Sequence, residues 1–177
     1  MFKSPTQRLW QILSFLTAIA ISVFILINRD RFGELETYGY VGIFVLSLLG
    51  NATVIVPAPA FLTALIGGGL FDPFWVGIIS AAGATLGEMT GYLVGAGGRM
   101  FTKDKKFERV NLWIEKKGFG AIVVLAAIPN PLFDLAGIVS GFLKYPVWKF
   151  LTATFLGKAV KFLALAYIGA GSVKLLF

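Results

Sequence analysis

Long apolar stretches alternate with short polar segments along the whole chain. The stretches 9–28, 74–97 and 148–171 each reach the roughly 20 residues that a transmembrane helix needs. Few charged residues interrupt them. The pattern predicts an all-α integral membrane protein with about three full transmembrane spans.

Two further apolar stretches are interrupted by a Pro-x-Pro sequence. The prolines are Pro57 and Pro59 in the first stretch and Pro129 and Pro131 in the second. Proline lacks an N–H and breaks a helix, and the pieces that follow are too short to cross the hydrocarbon layer. Because a break at membrane depth must be buried in protein or line a wet cavity, both stretches are predicted to be re-entrant helical hairpins.

The two interrupted stretches match each other. A shift of 72 positions aligns Pro57 with Pro129 and Phe61 with Phe133. One predicted span and a loop separate the hairpins, so they enter from opposite faces and form an inverted repeat. The expected organisation is one membrane domain, 1–177, with an anchor at 9–28, a first repeat at 38–98, a basic segment at 99–117 and a second repeat at 118–171.

Composition narrows the possible functions. Hydrophobic residues make up 57% of the chain, and histidine and cysteine are absent. Disulfides, thiolate nucleophiles and imidazole chemistry are therefore excluded, and we expect neither an enzyme nor a metal or cofactor. The net charge of +7 reflects basic residues that flank apolar segments, so we expect anionic lipids as partners and no nucleic acid.

The basic segment 99–117 sets the expected orientation. It carries seven basic and three acidic residues, and its apolar positions Phe107, Val110 and Ile114 are spaced as on an amphipathic helix. The positive-inside rule places this segment and the N-terminus on the cytoplasmic side, which we expect to be that of a prokaryotic cytoplasmic membrane.

Four charged residues within the apolar stretches are candidates for function. Glu88, Lys158 and Lys161 lie within predicted spans, and Asp134 follows the second Pro-x-Pro. Charges at membrane depth are costly and face a partner or a cavity. We interpret Lys158 and Lys161, with Asn130, as a phosphate-binding site, and Glu88 and Asp134 as groups for charge balance or proton coupling.

Structural roles compete with each of these assignments. Glu88 and a lysine could form a pair that only fixes packing, and Asp134 could only cap a half-helix. Asn51 is given a minor polar role before the first break. A stripe of glycines at every fourth position predicts close helix packing: Gly83, Gly87, Gly91 and Gly95.

These motifs together resemble the DedA family, also called the VTT or SNARE-associated membrane protein family. The resemblance rests on G-x-x-x-G-E-x-x-G-Y-x-x-G at 83–95, on I-P-x-P-x-x-D-x-x-G-x-x-S-G at 128–141 and on G-K-x-x-K at 157–161. It implies two opposed re-entrant hairpins and movement of lipids across bilayers. For bacterial members it implies recycling of polyprenyl phosphates and a link to proton-motive force.

The chain departs from that family at four positions. Many bacterial members carry arginines where this chain has Ala126 and Leu132, and many carry acidic residues where it has Asn51 and Ala60. The function expected is a lipid transporter or scramblase for a lipid phosphate, with proton coupling left open. A non-transporting scaffold or assembly factor and a small-ion transporter remain alternatives, and homo-oligomerisation is also left open.

Overall fold

The computed structural model describes residues 36–52, 58–97, 105–129 and 133–176. All regular elements within these ranges are α-helices, which confirms the all-α prediction. Eight helices are described: α1 Glu36–Ala52, α2 Ala58–Leu70, α3 Pro73–Gly87, α4 Met89–Ala96, α5 Lys105–Lys117, α6 Phe119–Ala127, α7 Phe133–Phe142 and α8 Val147–Leu176. The anchor predicted at 9–28 lies outside the described residues.

Helices α1 and α2 pack side by side in opposite directions. Gly39, near the start of α1, lies against the Phe71 ring just beyond the end of α2. Gly50, near the end of α1, lies against Ala60 at the start of α2. The end of α2 therefore lies at the same end of the molecule as the start of α1. Pro57 lies outside the described residues, and Pro59 belongs to the first turn of α2.

The predicted span 74–97 is divided into α3 and α4 at Glu88. Asp72 starts α3 by accepting hydrogen bonds from the backbone N–H groups of Phe74 at 2.9 Å and Trp75 at 3.2 Å. At the division, the Thr90 hydroxyl donates to the Gly87 carbonyl at 2.9 Å. Helical hydrogen bonds still lead into and out of Glu88, so α4 continues from α3 rather than turning back.

Helices α5, α6 and α7 pack against one another. Gly118 joins α5 to α6 with φ +50°, a conformation that glycine adopts without strain. Helix α6 ends at Ala127 because Ile128, the residue before Pro129, is extended. Gly118 lies beside the Tyr145 ring, so the start of α6 and the turn after α7 share one end of the molecule.

The turn after α7 is closed by backbone hydrogen bonds. Lys144 N–H donates to the Gly141 carbonyl at 3.0 Å and Tyr145 N–H to the Ser140 carbonyl at 2.9 Å. This is the Schellman pattern, in which the residue after the helix adopts positive φ. Here that residue is Lys144, with φ +51°.

Helix α8 is the longest element and packs along α2, α3 and α6. It runs antiparallel to α3, since Gly77 of α3 lies against Leu163 while Glu88 reaches Lys158. Its segment Val147–Ser172 is the one helix in the described part of the chain that is long and apolar enough to cross a membrane. The sequence predicts about three such spans, and within the described ranges one helix has the required length and apolar character.

The predicted glycine stripe lies at two different helix contacts. A Cβ at Gly83 or Gly87 would overlap carbonyl groups of α1, and a Cβ at Gly95 would overlap the Ile138 carbonyl of α7. Gly91 also faces α7, with more room. Glycine lets the backbones approach closely enough for Cα–H···O=C contacts.

We expect Gly95→Ala to destabilise the fold because the added methyl group collides with the backbone of α7. Overpacking of this kind costs about 1–3 kcal/mol. Gly42→Ala is the matched control, since nothing lies within 4 Å of a Cβ at that position of α1. The control should be neutral or stabilising by up to about 1 kcal/mol, because alanine is the better helix former.

Denaturant unfolding of the detergent-solubilised protein measures both variants. Equal stability of the two variants would contradict the close approach of α4 and α7.

Candidate functional site

An ion pair lies in the interior of the helix bundle. Lys158 is fully buried in α8, and its Nζ donates to Glu88 Oε1 at 2.7 Å. Glu88 is 4% exposed. The division between α3 and α4 therefore lies at the position where a carboxylate meets the buried lysine. A buried pair of this kind is stable only because each charge compensates the other.

Asn51, near the end of α1, completes the contacts of Lys158. Its Oδ1 accepts a second hydrogen bond from Lys158 Nζ at 2.6 Å. Its Nδ2 donates to the Ser47 carbonyl at 2.8 Å, which fixes the orientation of the amide. Asn51 was predicted to have only a minor polar role. Its position just before the first Pro-x-Pro is the feature of the sequence that could have indicated its contact with Lys158.

Phe133, the first residue of α7, covers the ammonium group from another side. Its ring centroid lies 5.1 Å from Lys158 Nζ, within range of a cation–π interaction. Lys158 thus contacts the end of α1 and the start of α7, the two helix ends that border the breaks. This contact was not predicted, because Phe133 is one apolar residue within an apolar stretch of the sequence.

Lys161 lies one turn further along α8 and has different surroundings. Its Nζ is 5.1 Å from the Phe61 ring of α2 and 5.2 Å from the Phe162 ring. The side chain is only partly buried. Within the described part of the chain, Lys161 has aromatic neighbours rather than an ion-pair partner.

Asp134 joins the same cluster electrostatically. It is partly buried in the first turn of α7, where a carboxylate is favoured by the helix dipole. Its charge acts on Lys158, Lys161 and Glu88. The structure therefore gathers Glu88, Asp134, Lys158 and Lys161 into one cluster whose two formal positive and two formal negative charges sum to zero.

The remaining predicted site residues are not all described. Asn130 and Pro131 lie outside the described residues, as does Leu132. Pro129 is exposed after the end of α6. Ala126 is fully buried, and a Cβ added at Gly157 of α8 would overlap the Cβ of Ala126. An arginine at position 126 would not fit this contact.

The cluster places two lysines and two carboxylates in and beside the interior of the helix bundle. Its charges lie among apolar side chains, where electrostatic interactions are strong and an unpaired charge is costly. Lys158 is bound to both Glu88 and Asn51, whereas Lys161 lies against the Phe61 and Phe162 rings.

Comparison with known proteins places the chain in a family. The VTT domain profile matches residues 56–171. The chain belongs to the VTT domain family. The resemblance seen in the sequence motifs is thereby confirmed, as is the assignment to membrane proteins of this kind.

The relatives are eukaryotic membrane proteins. Vacuole membrane protein 1 homolog of Dictyostelium discoideum is 34% identical over 146 residues, covering 64% of this chain and 35% of the relative. Vacuole membrane protein KMS2 of Arabidopsis thaliana is 33% identical over 103 residues, covering 47% and 25%. Human vacuole membrane protein 1 is 53% identical over 47 residues, covering 27% and 12%.

The chain thus matches about a third or less of the length of these relatives. No solved structure matches the chain. The names of the relatives support an integral membrane protein, whereas the prokaryotic cytoplasmic membrane and the orientation stay predictions.

Breaking the ion pair should be costly, but removing it whole should cost less. We expect Glu88→Gln or Lys158→Met alone to lower the free energy of unfolding by about 3–5 kcal/mol, because each leaves a buried charge without its partner. The double variant should lose much less than the sum, since both charges are gone. Denaturant titration of all four proteins in the same detergent completes this double-mutant cycle.

Asp72→Asn is the matched control, because Asp72 is an exposed carboxylate and asparagine can still cap α3. It should change the free energy of unfolding by less than about 0.5 kcal/mol. Strict additivity of the two site variants would exclude the ion pair as the source of their effects.

Proposed function

We propose that this protein moves lipids between the two leaflets of a membrane and that its charged cluster receives the lipid phosphate. The single observation that supports this most directly is the contact of one buried lysine with both broken hairpins. Lys158 bonds to Asn51 of the first hairpin and lies against Phe133 of the second. Ionisable groups inside a membrane protein are most often part of a transport pathway.

The hairpin dimensions support re-entrant placement in the bilayer. Helices α1, α2, α6 and α7 contain 17, 13, 9 and 10 residues. At about 1.5 Å per residue they are roughly 26, 20, 14 and 15 Å long, and each is shorter than the ~30 Å hydrocarbon layer. Each hairpin therefore enters partway and returns, which brings its broken end to the depth of the charged cluster.

The directions of the helices support opposed entry of the two hairpins. Helix α1 runs parallel to α3, since Gly83 lies against Phe44 and Gly87 against Leu48. Helix α6 runs parallel to α8, since Gly157 of α8 lies beside both Val123 and Ala127 while the start of α6 adjoins the turn before α8. Because α3 and α8 are antiparallel, the hairpins enter from opposite ends.

Matching glycine contacts support an inverted repeat. Gly95 lies against the Ile138 carbonyl, and Gly169, 74 positions later, lies against the Leu65 carbonyl. The shift of 72 positions that aligns the hairpins pairs Ile138 with Ile66, so Leu65 lies one residue from the matching position. Helix α4 thus packs against α7 of the second hairpin, and the second half of α8 packs against α2 of the first hairpin. A two-fold relation between the halves of the chain requires such a pair of matching contacts.

The charges do not follow this symmetry. At the offset of 74, Lys158 and Lys161 correspond to Ala84 and Gly87 in the first half. We infer that α8 carries the cationic side of the pathway and that Glu88 and Asp134 balance it. The lipid phosphate would approach Lys161 next to Phe61, while its acyl chains stay in the surrounding lipid.

Exchange of ionic partners is the proposed step that admits the headgroup. A phosphate at Lys161 adds negative charge beside the neutral cluster and weakens the hold of Glu88 on Lys158. Separation of Asn51 or Phe133 from Lys158 would then part the hairpin ends and let the headgroup pass. No bond is broken in this step, so we propose a transporter and not an enzyme.

Reconstitution tests the assignment of Lys161. The protein is placed in vesicles that contain a fluorescent phospholipid in both leaflets, and a reductant added outside reports lipid that moves outward. Lys161→Ala should slow this movement by about tenfold, since a charge-assisted hydrogen bond contributes roughly 1.5 kcal/mol or more. Lys161→Arg should retain most of it because the charge is kept.

Lys149→Ala is the matched control, because Lys149 is an exposed lysine of the same helix outside the cluster. It should leave lipid movement unchanged. Absence of lipid movement with the unmodified protein would overturn the proposal and favour a scaffold. Movement of small ions without lipid would favour the ion-transporter alternative.

A further inference from the structure

The outer face of α5 is a feature that lipid transport does not use. The apolar side chains Phe107, Val110 and Ile114 are at most 5% exposed and belong to the core. Phe107 packs edge-on against Phe142 of α7, with ring centroids 5.7 Å apart. Protein therefore covers the apolar side of this amphipathic helix, and the opposite side faces its surroundings.

The charges on that opposite side are sorted by sign. With 3.6 residues per turn, the spacings of four and seven residues put Lys105, Arg109 and Lys116 on one side of the helix. The acidic residues Glu108 and Glu115 are seven residues apart and share the other flank. Within α5 only Lys105 and Glu108, three residues apart, form a neighbouring pair of opposite sign.

A large aromatic side chain lies within the basic side. Trp113 is 49% exposed and follows Arg109 by four residues, with Lys117 four residues further on. We call Lys105, Arg109, Trp113 and Lys116 the basic face of α5. Exposed tryptophan beside lysine and arginine is typical of the headgroup region of a bilayer.

The fold holds the basic face at a fixed level. Gly118 alone separates α5 from α6, and it lies beside Tyr145 in the turn that precedes α8. Trp148, at the start of α8, is 65% exposed at the same end. The basic face therefore lies where two apolar helices begin, which is the level of a membrane surface.

We propose that the basic face of α5 binds the anionic headgroups of the bilayer in which the protein resides. The occupant is a lipid surface rather than a soluble polyanion because the face adjoins the membrane helices and carries a tryptophan suited to that depth. Each lysine or arginine near an anionic surface favours binding by about fivefold, the fold change that corresponds to about 1 kcal/mol. The proposal goes beyond lipid transport and does not depend on it.

Fluorescence quenching of Trp113 in the reconstituted full chain tests the proposal. The other tryptophans are first replaced by Trp10→Phe, Trp75→Phe and Trp148→Phe. Vesicles contain phosphatidylcholine and phosphatidylglycerol in equal amounts, and either one or the other carries brominated acyl chains. Brominated phosphatidylglycerol should quench Trp113 more strongly, and added salt should reduce the difference because it screens the attraction.

Paired charge variants separate the basic face from net charge. Neutralising Lys105, Arg109 and Lys116 to glutamine should make quenching by the two lipids equal. Neutralising Glu108 and Glu115 to glutamine, the matched control on the acidic flank, should keep or increase the preference. Because the salt titration uses unaltered charges, it gives an answer even where the triple variant does not fold.

Equal quenching by both lipids before any charge is removed would overturn the proposal and leave the face to a soluble partner. A preference that survives the triple neutralisation would overturn it as well. Lipid movement is not needed for either readout, so failure here and failure of the transport proposal are distinguishable.

Discussion

A fully buried lysine in the middle of the longest helix is the constraint on which this structure depends. An ammonium group inside apolar packing needs both an opposite charge and further hydrogen-bond acceptors. Lys158 obtains them from Glu88 and Asn51, which belong to different helices. Since Phe133 of a third helix also packs on it, one side chain determines how the broken helix ends meet.

Close backbone packing complements this polar contact. Several helix pairs touch where a glycine faces the carbonyl of its neighbour, and side chains are excluded from those places. In a membrane, helix association lacks the drive of water exclusion and relies on such contacts. Gly87 of α3 in particular lies against the end of α1 that carries Asn51.

The interior of the fold and the end that carries α5 differ in how their charges are arranged. The interior holds the Glu88–Lys158 ion pair with Asp134 and Lys161 near it, whereas the end that carries α5 presents separated positive charges and exposed tryptophans. The VTT domain profile covers residues 56–171, which include α5 and the four charged residues of the cluster.

The sequence by itself determined the all-α class, the apolar character, the family and the identity of the charged candidates. These follow from local spacing and composition, which the tertiary fold does not alter. Only the tertiary structure decided that Glu88 divides a predicted span, that one glycine stripe serves two neighbouring helices and that Asn51 and Phe133 contact Lys158. Contacts between residues as far apart as Asn51 and Lys158 depend on how helices cross in space, and periodicity along one segment carries no information about that.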